Sequence, residues 1–299
     1  MNTVLFVEQL LNGVQLGVML FLMAAGLTLV FGIMNFINLA HGSFYMLGAF
    51  FAAALVKMTG SFALGVFLAT LACVALGIVV EALALRPLYK RDHLDQVLAT
   101  FSLILFFNEI TTIIWGTEPL YIPTPELLAG SVEILSGVKY PALRLGITGF
   151  GLLIGLGMYV LVTHTRIGML IRAGASNRQM VQGLGINIGL LFSFTFGLGA
   201  ALAGFAGMIT APLLAVQVGI GEPMLIVAFV VVVIGGIGSI RGAFVAALLV
   251  GLVDTMGRFL LPAWFGFRFG PALASMAIYI LMAAVLLWRP QGLFANSRG

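Results

Sequence analysis

Asn35, Asn38 and His41 stand three residues apart in an apolar run and are followed at once by Gly42-Ser43. All three side chains can donate or accept hydrogen bonds. If the bend holding them is helical, the i, i+3, i+6 spacing puts them on one face. If the helix breaks there, the freed backbone needs protein or water partners. Either arrangement makes Asn35, Asn38, His41 and Gly42 candidates for the polar lining of a pathway, with simple turn chemistry as the alternative. Asn108 and Glu109 fall in the middle of another apolar stretch, where a charged group costs about 2.5–3.5 kcal/mol on insertion scales. They either line a cavity or bond a neighbouring helix. Glu81, five residues before Arg86, is expected to reach the cytoplasmic headgroups. Asp254 and Arg258, four apart, can neutralise each other along one helix.

Little else in the chain could do chemistry. None of the histidines, His41, His93 and His164, has a second His or Cys at metal-ligand spacing, so no metal site is expected. Ser43 lies near His41, but residues two apart point in different directions on a helix, and no Gly-x-Ser-x-Gly is present. There is no Gly-x4-Gly-Lys-Ser/Thr phosphate loop, and Gly-Gly-Ile-Gly-Ser at 235–239 lacks a following lysine. The expectation is a chain without catalytic residues or a cofactor of its own, any ATP being bound by a partner.

Composition fixes the class of element that must position these groups. The chain of 299 residues is 62% hydrophobic and 8% charged, with a mean hydropathy of +1.18, more apolar side chain than a soluble domain can hide. Cys73 is the single cysteine, so no disulfide framework exists. The net charge of +4 is scattered at the ends of apolar runs, which is no nucleic-acid footprint. With no basic n-region and no small-residue cleavage site at the N-terminus, no removable signal peptide is expected.

From Gln9 to Val56 there is no Lys, Arg, Asp or Glu. As one helix that stretch would run about 72 Å, more than twice a hydrocarbon core of about 30 Å, so it must fold back near Asn35–His41. Further apolar segments follow near 61–85, 97–115, 146–163, 187–212, 221–239, 241–261 and 270–288. The expected fold is an all-α polytopic membrane protein with eight or nine transmembrane helices, one or two of them broken or re-entrant near Asn35 or Pro223. Alternating the spans collects Arg86, Lys90, Arg91, Arg166, Arg172, Arg178, Arg241, Arg289 and Arg298 on one face, which the positive-inside rule makes cytoplasmic. Gly13-x3-Gly17, Gly151-x3-Gly155 and Gly199-x3-Ala203-x3-Gly207 read as helix-packing faces.

Two loops stand out. Residues 163–187 form a polar island with three arginines, no acids and a Gly-Ile-Asn exit. Gly183-Leu184-Gly185 can end a short helix there. Ile167, Leu170, Ile171, Met180, Val181 and Leu184 could then enter a groove of a partner, with the arginines facing partner acids or anionic lipid. The other loop, 116–145, is rich in proline and too long to be structureless, so a short interfacial helix is expected around 126–135. It is a natural surface for an external solute-binding protein.

Four stretches together resemble one family. GLTLVFGIMNFINLAHGSFYMLGAF (26–50), RAGASNRQMVQGLGIN (172–187), GGIGSIRGAFVAALLVGLVD (235–254) and WRPQGLF (288–294) are similar to LivH-type permeases of branched-chain amino acid ABC importers. The resemblance spans the whole chain, 1–299, as a single transmembrane permease domain. It implies a multi-pass protein of the bacterial inner membrane and a homologous second permease that completes the pathway. It also implies two cytoplasmic ATPase subunits and a periplasmic solute-binding protein. Residues 163–187 would then be the coupling loop, carried by Arg166, Arg172, Ala173, Asn177, Gly185 and Asn187, and 116–145 a periplasmic loop. The chain departs from the family at Ser176-Asn177, where many relatives have an acid, and at Ala246, which replaces a glycine. Scarcity of charge in the spans suits a small zwitterion with an apolar side chain; urea or a short amide is the alternative cargo. An autonomous channel or secondary carrier is the alternative class, and Asn108, Glu109 and a faint internal repeat are its supports.

Overall fold

The computed structural model describes residues 3–135 and 137–294. Arg298, assigned above to the cytoplasmic face, lies outside the described residues. The chain is helical almost throughout. Helix α1 covers Thr3–Met34, α2 His41–Thr59, α3 Phe62–Val80 and α4 His93–Trp115. A hairpin of β1 (Ser131–Leu135) and β2 (Val138–Pro141) precedes α5 (Ala142–His164), and two short helices follow, α6 (Arg166–Ser176) and α7 (Arg178–Gly183). The chain closes with α8 (Ile188–Thr210), α9 (Gly221–Gly235) and α10 (Ile240–Trp288).

Seven of these helices among the described residues are long and apolar enough to cross a membrane. Helix α10 counts twice. At 49 residues it is interrupted at Gly266, whose φ of 74° is open to glycine without strain. Beyond it the chain returns antiparallel, with Gly270 against the backbone of Pro262 and Gly257 against Ala274. Helix α9, at 15 residues or about 22 Å, is shorter than a hydrocarbon core. The described residues therefore hold eight full-length apolar segments and one half-length one, the latter at the Pro223 position where sequence places an irregular segment.

Two compact units emerge. One comprises Met1–Ala24, Thr124–Ile154 and Val227–Gly299. In it Gly13 and Gly17 lie against Leu252, Gly251 and Leu248 of α10, and Gly151 meets Val18. These glycines are packing surfaces, as their spacing indicates. Residues 116–145 carry a 3-10 turn at Glu126–Leu128 and then the hairpin, not the interfacial helix expected around 126–135. The alternation of Val132 and Ile134 favours strand. Gly137, with φ 86°, makes the turn, and its N–H donates to Glu133 Oε1 at 2.8 Å.

The other unit comprises Ala25–Pro123 and Gly155–Ile226 and is built on α2, α3 and α8. Its helices touch through glycine. Gly48 faces the backbone of Gly204, Gly207 faces that of Tyr45, and Gly77 faces Ala200. Such contacts let backbones approach where lipid gives apolar side chains no reason to associate.

Candidate functional site

Helix α1 ends in a left-handed residue, Asn35 (φ 49°), whose N–H donates to Phe31 O at 2.9 Å. This is helix-terminating chemistry that asparagine tolerates. The chain then runs non-helically to His41, where α2 begins. The bend is a break, so Asn35, Asn38 and His41 do not share a helical face. Asn35 is exposed, whereas Asn38 is fully buried and His41 is 1% exposed.

The His41 ring lies beside Gly26, and Gly26 in turn lies against Gly199. Gly199 is the midpoint of the 23-residue α8, and Gly26 is about 12 Å before the end of α1. Helix α2 thus starts halfway through the bundle. Its second residue, Gly42, meets the first residue of α9: a Cβ at Gly42 would come within 2.6 Å of Gly221 O. Two interrupted helices therefore bring their N-terminal turns together at mid-depth.

Asn108 of α4 joins this junction. Its Nδ2 donates to Glu222 Oε1 at 2.6 Å, whereas the next residue, Glu109, is exposed. Glu222 was not singled out by sequence reasoning. The signal available was local: Gly221 followed by an acid and a proline is a helix start. Residues between α8 and α9 wall a cavity of about 220 Å³ with Tyr45, Ala49 and Gly207. Tyr45 OH and Thr210 Oγ1 are 2.8 Å apart at its edge, and paired backbone bonds between Leu120 and Val216 (2.8 and 2.9 Å) hold the loop.

The island forms two helices. Thr165 Oγ1 accepts from Gly168 N to start α6, Asn177 Oδ1 accepts from Met180 N to start α7, and Asn187 Oδ1 accepts from Leu190 N to start α8. Gly185 turns the chain with φ 81°. Asn187→Ala should therefore lower the unfolding midpoint by the loss of one cap, about 1 kcal/mol. A thermal scan of the purified protein checks this, and an unchanged midpoint would show the cap to be idle. Arg166 and Arg172 are exposed; an Arg172 N–H also donates to Val162 O. Ala173 is half-buried at the α6–α7 joint, where its carbonyl accepts from Asn177 N. Ile171 and Val181 face inward, at 3% and 4% exposure, and cannot enter a partner as the spacing had them doing. Ile167, Met169, Met180 and Leu184 are the apolar groups left outside.

Behind the island lies a cluster that sequence reasoning missed. Glu81 does not reach the headgroups; it is fully buried. It continues the buried row of α3, four residues on from Gly77, and a π-helical turn over Glu81–Leu85 follows it. It accepts from Arg86 Nη2 (2.8 Å), Tyr89 OH (2.7 Å) and Ser193 Oγ (2.6 Å). Tyr89 packs edge-on against Phe36 and Phe192. Arg178 of α7 sits over Phe192 and donates to Ile33 O at 2.9 Å. Elsewhere, Arg258 and Asp254 pair at 2.9 Å, as their spacing indicates.

Apolar helices that span, two interrupted helices meeting at a polar centre and an amphipathic pair held outside define a membrane transport subunit. The chain belongs to the family described as the permease component of the branched-chain amino acid transport system, whose profile matches residues 9–286. It is 32% identical to the high-affinity branched-chain amino acid transport system permease protein BraD of Pseudomonas aeruginosa, over 97% of this chain and 96% of that one. It is 30% identical to the corresponding permease protein LivH of Escherichia coli, again over 97% and 96%. The ribose import permease protein RbsC of Escherichia coli is 26% identical over 78% of this chain and 72% of its own. No solved structure matches.

Proposed function

We propose that this permease pairs with a homologous second permease in a bacterial inner membrane to carry branched-chain amino acids, driven by two cytoplasmic ATPases and supplied by a periplasmic binding protein. Similarity to BraD and LivH along nearly the whole chain carries the reading of the cargo. The exposed apolar groups on α6 and α7 support the island as the ATPase-docking element: Met180 and Leu184 are 66% and 72% exposed in a segment that carries three arginines, and a partner would cover them. Arg166 and Arg172 lie in the same segment and would meet acidic groups. The resulting mechanism is alternating access, with ATP-driven closure of the ATPases passed through the island to the interrupted helices.

The test is ATP-dependent leucine uptake by vesicles holding the complete complex and its binding protein. Met180→Glu with Leu184→Glu should leave the permease folded, since both side chains point outward, and should cut ATPase retention and uptake at least about tenfold. Leucine uptake that needs neither ATP nor a partner would instead make the chain an autonomous carrier. ATPase stimulation by a binding protein loaded with urea or an amide, without leucine uptake, would keep the mechanism and change the cargo.

A further inference from the structure

The junction of α2 and α9 holds a set of polar atoms that the fold itself does not use. Both side-chain heteroatoms of Asn38 and the hydroxyl of Ser43 are buried without a hydrogen-bond partner, in residues 0% and 4% exposed. Asn38 lies three residues before His41, and Ser43 two after it, so they flank the start of α2. On the facing element one oxygen of Glu222 takes the Asn108 amide, while its other oxygen and Asn108 Oδ1 are buried and unpartnered. Orphaned buried polar groups are costly and rare, and a concentration of them at one place calls for a ligand.

The chemistry of that ligand can be read from the surrounding charge. Two N-terminal turns meet at Gly42 and Gly221, and each carries the positive end of a helix dipole. Discontinuous helices in transporters present such ends to anionic groups of their cargo. Glu222, in the first turn of α9, sets an acidic side chain beside those positive ends. A site with a fixed carboxylate next to convergent N–H dipoles matches a zwitterion, one group for each pole. Next to it the cavity of about 220 Å³ is walled by Pro223 and Met224, the residues that follow Glu222, and by Leu214, Val216 and Ile220. Its lining is mainly apolar, with Tyr45, Thr210 and Gln217 as the polar side chains.

From this geometry, and resting on the importer reading above, we infer that the α2–α9 junction is an intramembrane recognition site for the head of an aliphatic α-amino acid. Glu222 and Asn108 Oδ1 receive the ammonium group. The first turns of α2 and α9, with Asn38 and Ser43, receive the carboxylate, and the branched side chain occupies the cavity. The permease thus selects its cargo a second time after release from the binding protein. A sugar, with neither pole, would bring the Glu222 carboxylate no countercharge.

The experiment compares wild type, Glu222→Gln, Glu222→Asp and Asn108→Ala in the complete complex, reconstituted with its binding protein and given radiolabelled leucine. Glu222→Gln and Asn108→Ala should each lower uptake about tenfold or more, with assembly and leucine-stimulated ATP hydrolysis retained, and Glu222→Asp should recover part of the loss. Wild-type uptake matched by Glu222→Gln and Asn108→Ala overturns the inference and leaves the importer reading standing. Loss of ATP hydrolysis in step with uptake in both variants also overturns it, since a purely structural role predicts that result. Wild-type complex that moves no leucine with ATP removes the amino-acid cargo from the importer reading and overturns the site with it.

Discussion

Leucine in place of Gly48 should prevent the α2–α3–α8 unit from forming, leaving little or no monodisperse protein in detergent. The Cβ that any such substitution adds at Gly48 falls on the backbone of Gly204, not on a side chain able to swing aside. Relief cannot come from Gly204's side of the contact. The position where its own Cβ would stand is already closed by Cys73 Sγ, and one turn further on Gly207 abuts the Tyr45 carbonyl. The three glycines therefore fix one crossing of α2 over α8, and separating the helices forfeits contacts along its length. Overpacking by a methylene or so costs about 1–3 kcal/mol in a core whose side chains can adjust. Against backbone the loss should exceed that range, because van der Waals contact is what holds helices together in lipid.

The control is Gly157→Leu. Gly157 lies on α5, and a Cβ there meets nothing within 4 Å. The same residue change should leave both yield and unfolding midpoint near wild type. Equal behaviour of the two variants would show that the α2–α8 crossing has room to relax. Because α2 begins at the polar junction, a milder change such as Gly48→Ala should disturb uptake before it abolishes folding. Size-exclusion profiles and leucine uptake on the same preparations separate the two effects.

Much of this architecture was legible because hydropathy, charge and glycine spacing are local signals. The uncharged run from Gln9 to Val56 demanded a reversal, and Asn35–His41 supplied it. The island was visible as the one arginine-rich stretch without acids, and its caps, Asn177 and Asn187, are ordinary helix starts. What stayed hidden depends on which helices become neighbours. Glu222 meets Asn108 across 114 positions of sequence, and no short-range pattern reports that pairing. The inward face of α6 is decided by where α8 lies, since Gly174 rests near Leu191, and not by the hydrophobic order of Ile167 and Ile171 alone. Glu81 was misread for a subtler reason. It continues the row Ala69, Cys73 and Gly77 that α3 buries, and which face of α3 is buried is set by α2 and α8, not by the nearness of Arg86 in sequence. The 131–141 hairpin was obscured by Glu126 and the leucines after it, which read as the start of a helix until Gly137 is given its turn.

The buried Glu81 makes Arg86→Met the second substitution from which a large effect is expected. Removing one member of a buried ion pair strands the other, at about 3–5 kcal/mol where both are enclosed. Here the Arg86 side chain is 47% exposed and water already screens part of the attraction, so the loss should fall nearer about 2 kcal/mol. Ser193 and Tyr89 would still donate to Glu81, yet they are neutral and already engaged. Glu81→Gln with Arg86→Met should be less harmful than Arg86→Met alone, because the double variant leaves no buried charge without a counterpart. A coupling energy of about 0.5–3 kcal/mol in a double-mutant cycle is the expected reading, and simple additivity would deny that the two groups act as a pair. The functional consequence follows from what this pair anchors. Tyr89 is held by Glu81 and wedged between Phe36 and Phe192, while Arg178 ties α7 to Phe192 and to the carbonyl of Ile33, two residues before the α1 break. Island and interrupted helix are thus linked through one packed set of side chains that Arg86 keeps in register. Arg86→Met should let ATP hydrolysis continue while leucine uptake falls more steeply, and Arg86→Lys, which keeps the charge without the forked geometry, should lie between. A parallel fall in both activities would mean that the cluster supports the fold and carries no motion from the island.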